Sequence, residues 1–392
     1  MLATENLADH FTHFYLFFMP DFAREAYAGE PWFDDVAARF KAIKGSAAAE
    51  ALPARARFLQ LMGLLAGKWP HTLSIQPGGS ARALSSNERI RVLSMIREFR
   101  QWLERHLFGD RLEQIAAIES VDGLLAWAHE RGPQAGDLGR FIRLSEALDL
   151  SALGRAPEVS RYMSFGNYAI DGKPTLARGM WDAGDRRLEA VDAADIVEDV
   201  SHAWMAGAPA HPLQGRTMPD IGKADAYSWC KAPRWQGKVV QCGALSRQVV
   251  DAHPLALDMV AQHGGNVMSR VVGRLLEIAR VVPMMEHWAR SLSPGEAFHT
   301  PFSLPAEAEG AGMIEAARGS LGHWLVIRRG RIHNYQIIAP TTWNFSPRDA
   351  DGVPGALEQA LVGTPVESGG GMPVRVQHVI RSFDPCMVCT VH

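Results

Sequence analysis

Residues 381–392 read RSFDPCMVCTVH and place two cysteines and a histidine close together. Two residues separate Cys386 from Cys389, and His392 follows three positions later. Chain ends usually fray, so metal or redox ligands at such a position must be held by other parts of the protein. Because thiolates bind soft metals such as nickel, copper, zinc or iron, the stretch predicts an end that is buried over a metal ion.

The Cys-x-x-Cys spacing alone is compatible with several kinds of site. A thioredoxin-type redox pair needs a helix after the motif to lower the thiol pKa, and none is predicted here. A structural zinc site needs four ligands, of which Cys386, Cys389 and His392 supply three. Two inert buried thiols are a further alternative, although Asp384-Pro385 gives the motif a constrained polar entry.

The composition indicates a large packed globular protein. The chain has 392 residues, is 47% hydrophobic, contains 11 tryptophans and carries a net charge of -3. This charge balance gives no basic face for nucleic acid, and we find neither a membrane-spanning run nor a signal peptide. The 4 cysteines are too few for a disulfide framework and are typical of a reducing compartment. We therefore expect a cytoplasmic protein.

Hydrophobic periodicity and turn residues divide the chain into segments. We predict helices over 1–155, loops and short strands over 156–244, helices over 245–292, and a hairpin with the C-terminal metal-ligand segment over 315–392. Asp9, His13 and Phe17 have the i, i+4, i+8 spacing of one helical face. Ser85 and Glu88 form a capping-box pattern, which predicts a helix start.

A β-hairpin is predicted near the end of the chain. Two β-rich runs, Trp324–Ile327 and Ile332–Ile338, flank the turn signal Arg328-Arg329-Gly330. Further upstream, the HGGN stretch at 263–266 interrupts an otherwise helical pattern. We therefore expect two separate helices around that break.

Several segments together resemble nickel-iron hydrogenase large subunits. They are RSFDPCMVCTVH (381–392), Glu315 to Asp349, Gly355 to Val366, YSWCKAPRW (227–235), GKWPH (67–71) and DHFTHFY (9–15). They occur in the family's order across nearly the whole chain. The resemblance implies one domain over 1–392. Its fold would be mainly α with small β-sheets (α+β) around a central bundle of long helices.

The resemblance implies a nickel–iron centre with the composition Ni–Fe(CO)(CN)2. In the family, four cysteine thiolates hold nickel, and two of them bridge to the iron. Cys386 and Cys389 match the C-terminal pair, with Cys389 as a bridging ligand. His392 matches the residue that binds a nearby Mg2+ (or Fe2+) ion.

The resemblance also assigns the groups around the metals. Arg318 and Asp384 match residues beside the nickel, and Asp9 matches the acidic residue that orients the arginine. Pro340 and Thr341 match residues around the diatomic ligands of the iron, where buried cyanides need hydrogen-bond donors. Heterolytic cleavage of H2 requires a base, which a thiolate such as that of Cys386, or the arginine, can provide. The alternative for Arg318 is a structural role between loop and hairpin.

The implied function is hydrogenase activity, with electrons passed to iron–sulfur clusters of a small subunit in a heterodimer. Maturation proteins would insert the nickel. Phe17 matches a bulky aromatic of the regulatory, hydrogen-sensing members, which control a histidine kinase. The sequence ends at His392. We interpret this end either as a mature form whose extension has been removed or as that of the sensing members, which are made without one. Packing in a core is the alternative for Phe17. Two other functions stay open: a respiratory uptake hydrogenase large subunit, and a non-catalytic scaffold with a zinc or empty thiol site.

The chain departs from the family pattern in three ways. The family's other Cys-x-x-Cys motif and its neighbouring glutamates are absent, so we interpret the sequence as lacking an N-terminal segment that catalysis requires. Ala317 stands where the family usually has proline. Cys230 and Cys242 match no ligand position, and we interpret them as ordinary buried thiols. The loop of His71 matches one that lies near a cluster of the small subunit.

Overall fold

The computed structural model describes residues 1–132, 134–156, 159–366 and 373–390. The α-helices are α1 (Leu2–Thr12), α2 (Phe33–Phe40), α3 (Ser46–Ala66), α4 (Ser86–Trp102), α5 (Leu112–Ala116), α6 (Val121–Glu130), α7 (Asp137–Ala147), α8 (Ala244–Val250), α9 (Pro254–His263), α10 (Val267–Ser291), α11 (Pro340–Asn344), α12 (Ala356–Leu361), α13 (Val374–Ser382) and α14 (Met387–Thr390). The π-helical turns His13–Phe18 and Leu103–Phe108 continue α1 and α4, and the 3-10 helices are Met19–Ala23, Glu25–Tyr27 and Ala193–Asp195.

The strands are short and form small sheets. They are β1 (Ile75–Gln76), β2 (Gly79–Ser80), β3 (Arg161–Asn167), β4 (Leu176–Asp182), β5 (Arg187–Glu189), β6 (Ile196–Asp199), β7 (Ala232–Trp235), β8 (Gln241–Cys242), β9 (Ala308–Ala316), β10 (Gly319–Arg328) and β11 (Arg331–Ile338). The predicted class, mainly α with small sheets, is therefore confirmed. No helix of the described ranges combines the length and apolarity needed to cross a membrane.

The chain divides into two compact units. The first contains residues 1–148 and 274–303, and the second contains 149–273 and 304–392. Helix α10 belongs to both, because the chain passes from one unit to the other within it. The single domain implied over 1–392 stays a prediction.

The first unit is helical and has an aromatic core. The rings of Phe58 and Phe99 stack with centroids 4.0 Å apart, and Phe11 meets Trp102 edge-on at 5.1 Å. On the predicted face of Asp9, His13 and Phe17, His13 is buried, whereas Phe17 is 51% exposed, so the alternative that Phe17 packs in a core is wrong.

The predicted start of α4 is confirmed. The Ser85 hydroxyl accepts a hydrogen bond from the Glu88 N–H at 3.3 Å, and the Glu88 carboxylate accepts one from the Ser85 N–H at 2.9 Å. These bonds satisfy backbone donors that have no partner within the helix. The hydrogen bond from the Ser85 backbone, followed by that from Arg82, lowers the pKa of Glu88 to about 2.

The second unit is built on sheets. Strands β5, β4, β3 and β8 form one sheet in that order, with β3 and β8 parallel, and β9, β10 and β11 form an antiparallel sheet with β10 in the centre. The predicted hairpin is confirmed as β10 and β11, with Arg329 and Gly330 at positive φ in the turn. Trp324 from β10 and Trp343 from α11 are buried with Met163 of β3 in the core of this unit. This core fixes the segments on either side of the hairpin.

Candidate metal centre

Three segments of the second unit meet at the predicted site. Arg318 lies in the tight turn between β9 and β10, Pro340 begins α11, and Asp384 follows α13. The Arg318 Nε donates a hydrogen bond to the Asp384 carbonyl oxygen at 3.1 Å and lies 3.4 Å from its carboxylate Oδ1. The Asp384 side chain is 4% exposed and that of Arg318 is 30% exposed. The structure thus brings this predicted pair together, with the carboxylate on the inner side.

A left-handed backbone at Asp384 directs the tail toward α11. Its φ is 57°, which aspartate tolerates better than most residues. The Asp384 N–H donates to the Arg381 carbonyl at 3.0 Å, which closes the end of α13. Two residues later, the Cys386 N–H donates to the hydroxyl of buried Thr341 at 3.1 Å. Thr341 therefore holds the cysteine segment against the start of α11.

Cys386 and Cys389 lie within one helical turn. The Cys389 N–H donates to the Cys386 carbonyl at 3.1 Å, and both side chains are half-buried. Burial, followed by the hydrogen bond between the two thiols, raises the pKa of Cys389 to about 12, and the charge of Arg318 opposes this rise. A metal that binds here must displace thiol protons, so we expect its affinity to increase with pH.

Cys230 lies next to the tail, which the sequence did not indicate. Its Sγ donates to the Cys389 carbonyl oxygen at 3.1 Å, across 159 positions of the chain. It is buried, as predicted, and burial raises the pKa of its thiol. The prediction of an ordinary buried thiol therefore missed a contact with a candidate metal ligand.

Cys242 supports the opposite side of the site. Its Sγ donates to the Pro340 carbonyl at 3.4 Å, while Asn344 hydrogen-bonds both the N–H and the carbonyl of Cys242 at 3.1 and 3.0 Å. The residue after Arg318 must be glycine, because a Cβ on Gly319 would lie 2.6 Å from the Cys242 sulfur. These contacts tie α11 and the Arg318 turn to β8.

A buried ion pair fixes the turn that carries Arg318. Arg247 donates from Nη1 to the Glu315 carboxylate at 2.8 Å, and both side chains are 0% exposed. Arg247 also donates to the carbonyls of Ala316 and Ala317 at 2.9 Å each. The two peptide units immediately before Arg318 are therefore held by an arginine from α8.

A second buried arginine supports the segment before Asp384. The guanidinium of Arg270 lies 3.8 Å from the ring centroid of Phe383, and its Nη1 donates to the Gly154 carbonyl at 2.9 Å. Its Nη2 donates to the side chain of Gln241, next to Cys242, at 3.0 Å. One guanidinium thus links β8 to the end of α13.

Two further predicted site residues are Asp9, which belongs to the first unit, and His392. Asp9 is half-buried on α1 in the first unit, so its role toward Arg318 stays a prediction. His392, the predicted ligand of Mg2+ (or Fe2+), lies outside the described residues. Within the described ranges, no group of three or more His, Cys, Asp or Glu side chains is arranged to hold a metal ion.

The donor set fits the C-terminal half of a soft-metal centre. The Cys386 and Cys389 thiols suit a soft metal. The Arg318 guanidinium, bonded to Asp384, and the Thr341 hydroxyl, bonded to the Cys386 N–H, are donors that suit anionic ligands. The pair Cys386 and Cys389 would hold the nickel. Pro340 and Thr341 would lie on the side of the iron.

The sequence matches the family described as nickel-dependent hydrogenase over residues 148–392. The chain belongs to this family. It is 29% identical over 371 residues to the Hydrogenase-2 large chain of Escherichia coli K12, which covers 85% of this chain and 62% of that protein. It is 32% identical over 248 residues to the uptake hydrogenase large subunit of Rhodobacter capsulatus, covering 52% and 41%. The chain thus spans less than two thirds of the length of these relatives.

Solved structures of hydrogenases have the same fold. The [NiFeSe] hydrogenase of Desulfovibrio vulgaris Hildenborough superimposes with a TM-score of 0.79 at 26% identity, over 100% of this chain and 80% of that chain. The Ni-Fe-Se hydrogenase of Desulfomicrobium baculatum gives a TM-score of 0.80 at 25% identity, over 100% and 81%. The implied large-subunit fold is therefore confirmed.

Proposed function

We propose that this protein is a hydrogenase large subunit that cleaves H2 heterolytically at a nickel–iron centre. One observation carries the proposal: the Arg318 Nε donates a hydrogen bond to Asp384 and lies against its buried carboxylate, two residues before Cys386. Family membership makes nickel and iron the metals to expect. When bound, the centre supplies an electron-rich soft metal that polarises H2 and takes up its electron pair.

The protein would hold this centre from two sides. Cys386 and Cys389 would hold the metals through their thiolates. Thr341 and the guanidinium of Arg318 would donate hydrogen bonds to the cyanides, because an arginine carries five N–H donors. The buried Pro340 would exclude water from the iron side.

The proton released from H2 would go first to the Sγ of Cys386. Arg318 lies against the Asp384 carboxylate, and such a pair keeps a guanidinium in its charged form. A base that already holds its proton cannot accept another one, whereas a metal-bound thiolate can. Arg318 would therefore orient and stabilise charge rather than act as the first base.

The electrons would pass to the iron–sulfur clusters of a small subunit. A surface that fits such a partner exists in the first unit around the loop of His71, where Trp69 is 39%, Leu73 83% and Ile75 60% exposed. Exposed apolar groups of this kind mark protein interfaces.

Free cysteines also favour a cytoplasmic location. Nickel-insertion proteins would act on the large subunit before it assembles with the small subunit.

Two biological roles are compatible with this reaction. Respiratory H2 uptake is favoured by the names of similar proteins, such as that of Rhodobacter capsulatus. Regulatory hydrogen sensing is favoured by Phe17, which matches a bulky aromatic of the hydrogen-sensing members. An H2-dependent change in the autophosphorylation of a histidine kinase would support sensing. Sustained turnover without such a change would support uptake.

The proposal is tested on the chain co-purified with its small subunit after maturation. We expect nickel and iron by elemental analysis, cyanide and carbonyl bands in the infrared, and H2-dependent reduction of a viologen dye. Cys386→Ser should lose nickel. Met387→Leu, at a position that is 73% exposed, should retain it and serves as the control.

A second variant separates binding from chemistry. Arg318→Lys should keep the metals but shift the cyanide bands and lower turnover by about 10²–10³, as expected for loss of a preorganised donor. A lysine variant with unchanged infrared bands and turnover would contradict the role of Arg318.

A second candidate function is a non-catalytic scaffold with zinc or empty thiols. It is favoured by the absence, within the described residues, of any cluster of three or more potential ligands. Elemental analysis that finds zinc without nickel in the matured complex would support this candidate and overturn the first.

A further inference from the structure

Three of the four cysteines of this chain meet at the tail. Cys230 reaches the carbonyl oxygen of Cys389 with its Sγ at 3.1 Å, and Cys386 lies one helical turn before Cys389. The Cys230 N–H donates to the Ser228 hydroxyl at 3.0 Å, which fixes Cys230 two positions before β7. The Cys230 thiol thus contacts the backbone of Cys389, a candidate metal ligand in the terminal segment.

The tail segment is exposed to solvent, whereas Cys230 is buried. Met387 is 73% and Val388 87% exposed, and Cys389 is half-buried. Cys230 is only 8% exposed. A small oxidant can therefore reach the tail, whose Cys389 already contacts Cys230 through its carbonyl oxygen.

We propose that Cys230 and Cys389 form a disulfide when the metal-free chain meets hydrogen peroxide. One sulfur takes an oxygen atom from the peroxide and becomes a sulfenic acid, and the first water leaves. The other thiol then attacks that sulfur, which forms the S–S bond and releases the second water. Two thiols and one peroxide thus give one disulfide and two waters.

The disulfide would act as a reversible block on metal loading. It removes Cys389 from the ligand set until a thiol reductant restores it. This consequence rests on the proposed function, whereas the cross-link itself does not. Once nickel occupies Cys389, the partner of Cys230 is taken, so the loaded protein should resist the reaction.

The competing product is a disulfide between Cys386 and Cys389. The two products differ in what they constrain, because a bond to Cys230 closes a loop across most of the second unit, whereas the competitor closes a single turn. Longer closed loops restrict the unfolded chain more strongly. The proposed bond should therefore raise the urea midpoint by clearly more than the competitor does.

Peptide mapping distinguishes the products directly. Trypsin places Cys230 in residues 224–231, Cys386 and Cys389 together in 382–392, and Cys242 in 239–247. After peroxide treatment of the metal-free full chain and alkylation of free thiols, we expect a linked pair of 224–231 and 382–392, which dithiothreitol separates. Fragmentation should locate the bond at Cys389.

Variants complete the test. Cys230→Ser and Cys230→Ala should abolish the linked pair, whereas Cys242→Ser should retain it; far-ultraviolet circular dichroism checks that each is folded. An internal disulfide in 382–392 as the product would overturn the proposal, as would a bond between two chains. If the cross-link forms but no condition loads nickel, this inference stands and the proposed function fails.

Discussion

Replacing Glu315 with glutamine should destabilise the protein severely. The Glu315 Oε1 accepts hydrogen bonds from the Ser320 hydroxyl at 2.6 Å and the Phe165 N–H at 2.8 Å, and its Oε2 accepts one from Arg247 at 2.8 Å. A glutamine has only one oxygen, so in either orientation its NH2 group faces another donor. It also leaves the charge of Arg247 buried without its counter-charge.

Breaking one partner of a buried pair costs about 3–5 kcal/mol. A domain is usually stable by only about 5–15 kcal/mol, so the loss is a large part of the total. We expect this loss in the free energy of urea unfolding at pH 7. Glu309→Gln is the matched control, because Glu309 pairs with Arg328 at 2.6 Å where both side chains are about half exposed. Such a surface pair contributes about 0–1 kcal/mol.

A double-mutant cycle isolates the pair. Arg247→Met alone should cost about as much as Glu315→Gln, since each leaves its partner's charge buried. The double variant should cost clearly less than the sum of the two. If Glu315→Gln were no more harmful than Glu309→Gln, or if the two effects simply added, the ion pair would not fix the Arg318 turn.

Further predictions concern the supports of the site and the capping box. Thr341→Val should lower stability by about 1 kcal/mol because the part-buried Cys386 N–H loses its acceptor, and Thr341→Ser should not; equal thermal midpoints would contradict this. Asn344→Ala should lower the free energy of urea unfolding by about 2–3 kcal/mol, since both backbone groups of Cys242 lose a partner. A loss below about 0.5 kcal/mol would contradict a stabilising role for these two hydrogen bonds. The pKa of Glu88 falls from 4.5 to about 2 on folding, so its stabilisation is complete above pH 4.5 and is lost as the pH falls toward 2. Urea unfolding at pH 5.5 and 3.5 should therefore show a smaller pH effect in Glu88→Gln, and an identical pH effect would count against the capping box.

Local features of the fold were predictable from the sequence. The hairpin follows from two β-rich runs around Arg329-Gly330, because the turn requires positive φ at both positions. The start of α4 follows from Ser85 and Glu88, which satisfy donors that any helix start exposes. The π-helical turn after Thr12 was not predictable, since apolar periodicity does not distinguish i→i+4 from i→i+5 hydrogen bonding.

The candidate site was predictable only as far as its family signature reaches. Arg318 and Asp384 belong to segments that resemble the family, and the structure brings them together. Arg247 and Cys230 were missed because their partners lie 68 and 159 positions away, and a single sequence carries no local pattern for such contacts. Whether a buried charge or thiol contacts a distant segment depends on how the whole unit packs.

The two hydrogen bonds between Asn344 and Cys242 bear on the order in which the candidate metal site is assembled. Helix α11 is registered to β8 by the hydrogen bonds of Asn344, which involve no residue beyond Ser382. The tail after Ser382 contacts α11 through the hydrogen bond from the Cys386 N–H to the Thr341 hydroxyl. The surface formed by α11 and β8 can consequently fold before the last residues bind to it. A carboxyl end of this kind can dock late and be withdrawn again without dismantling the scaffold that receives it.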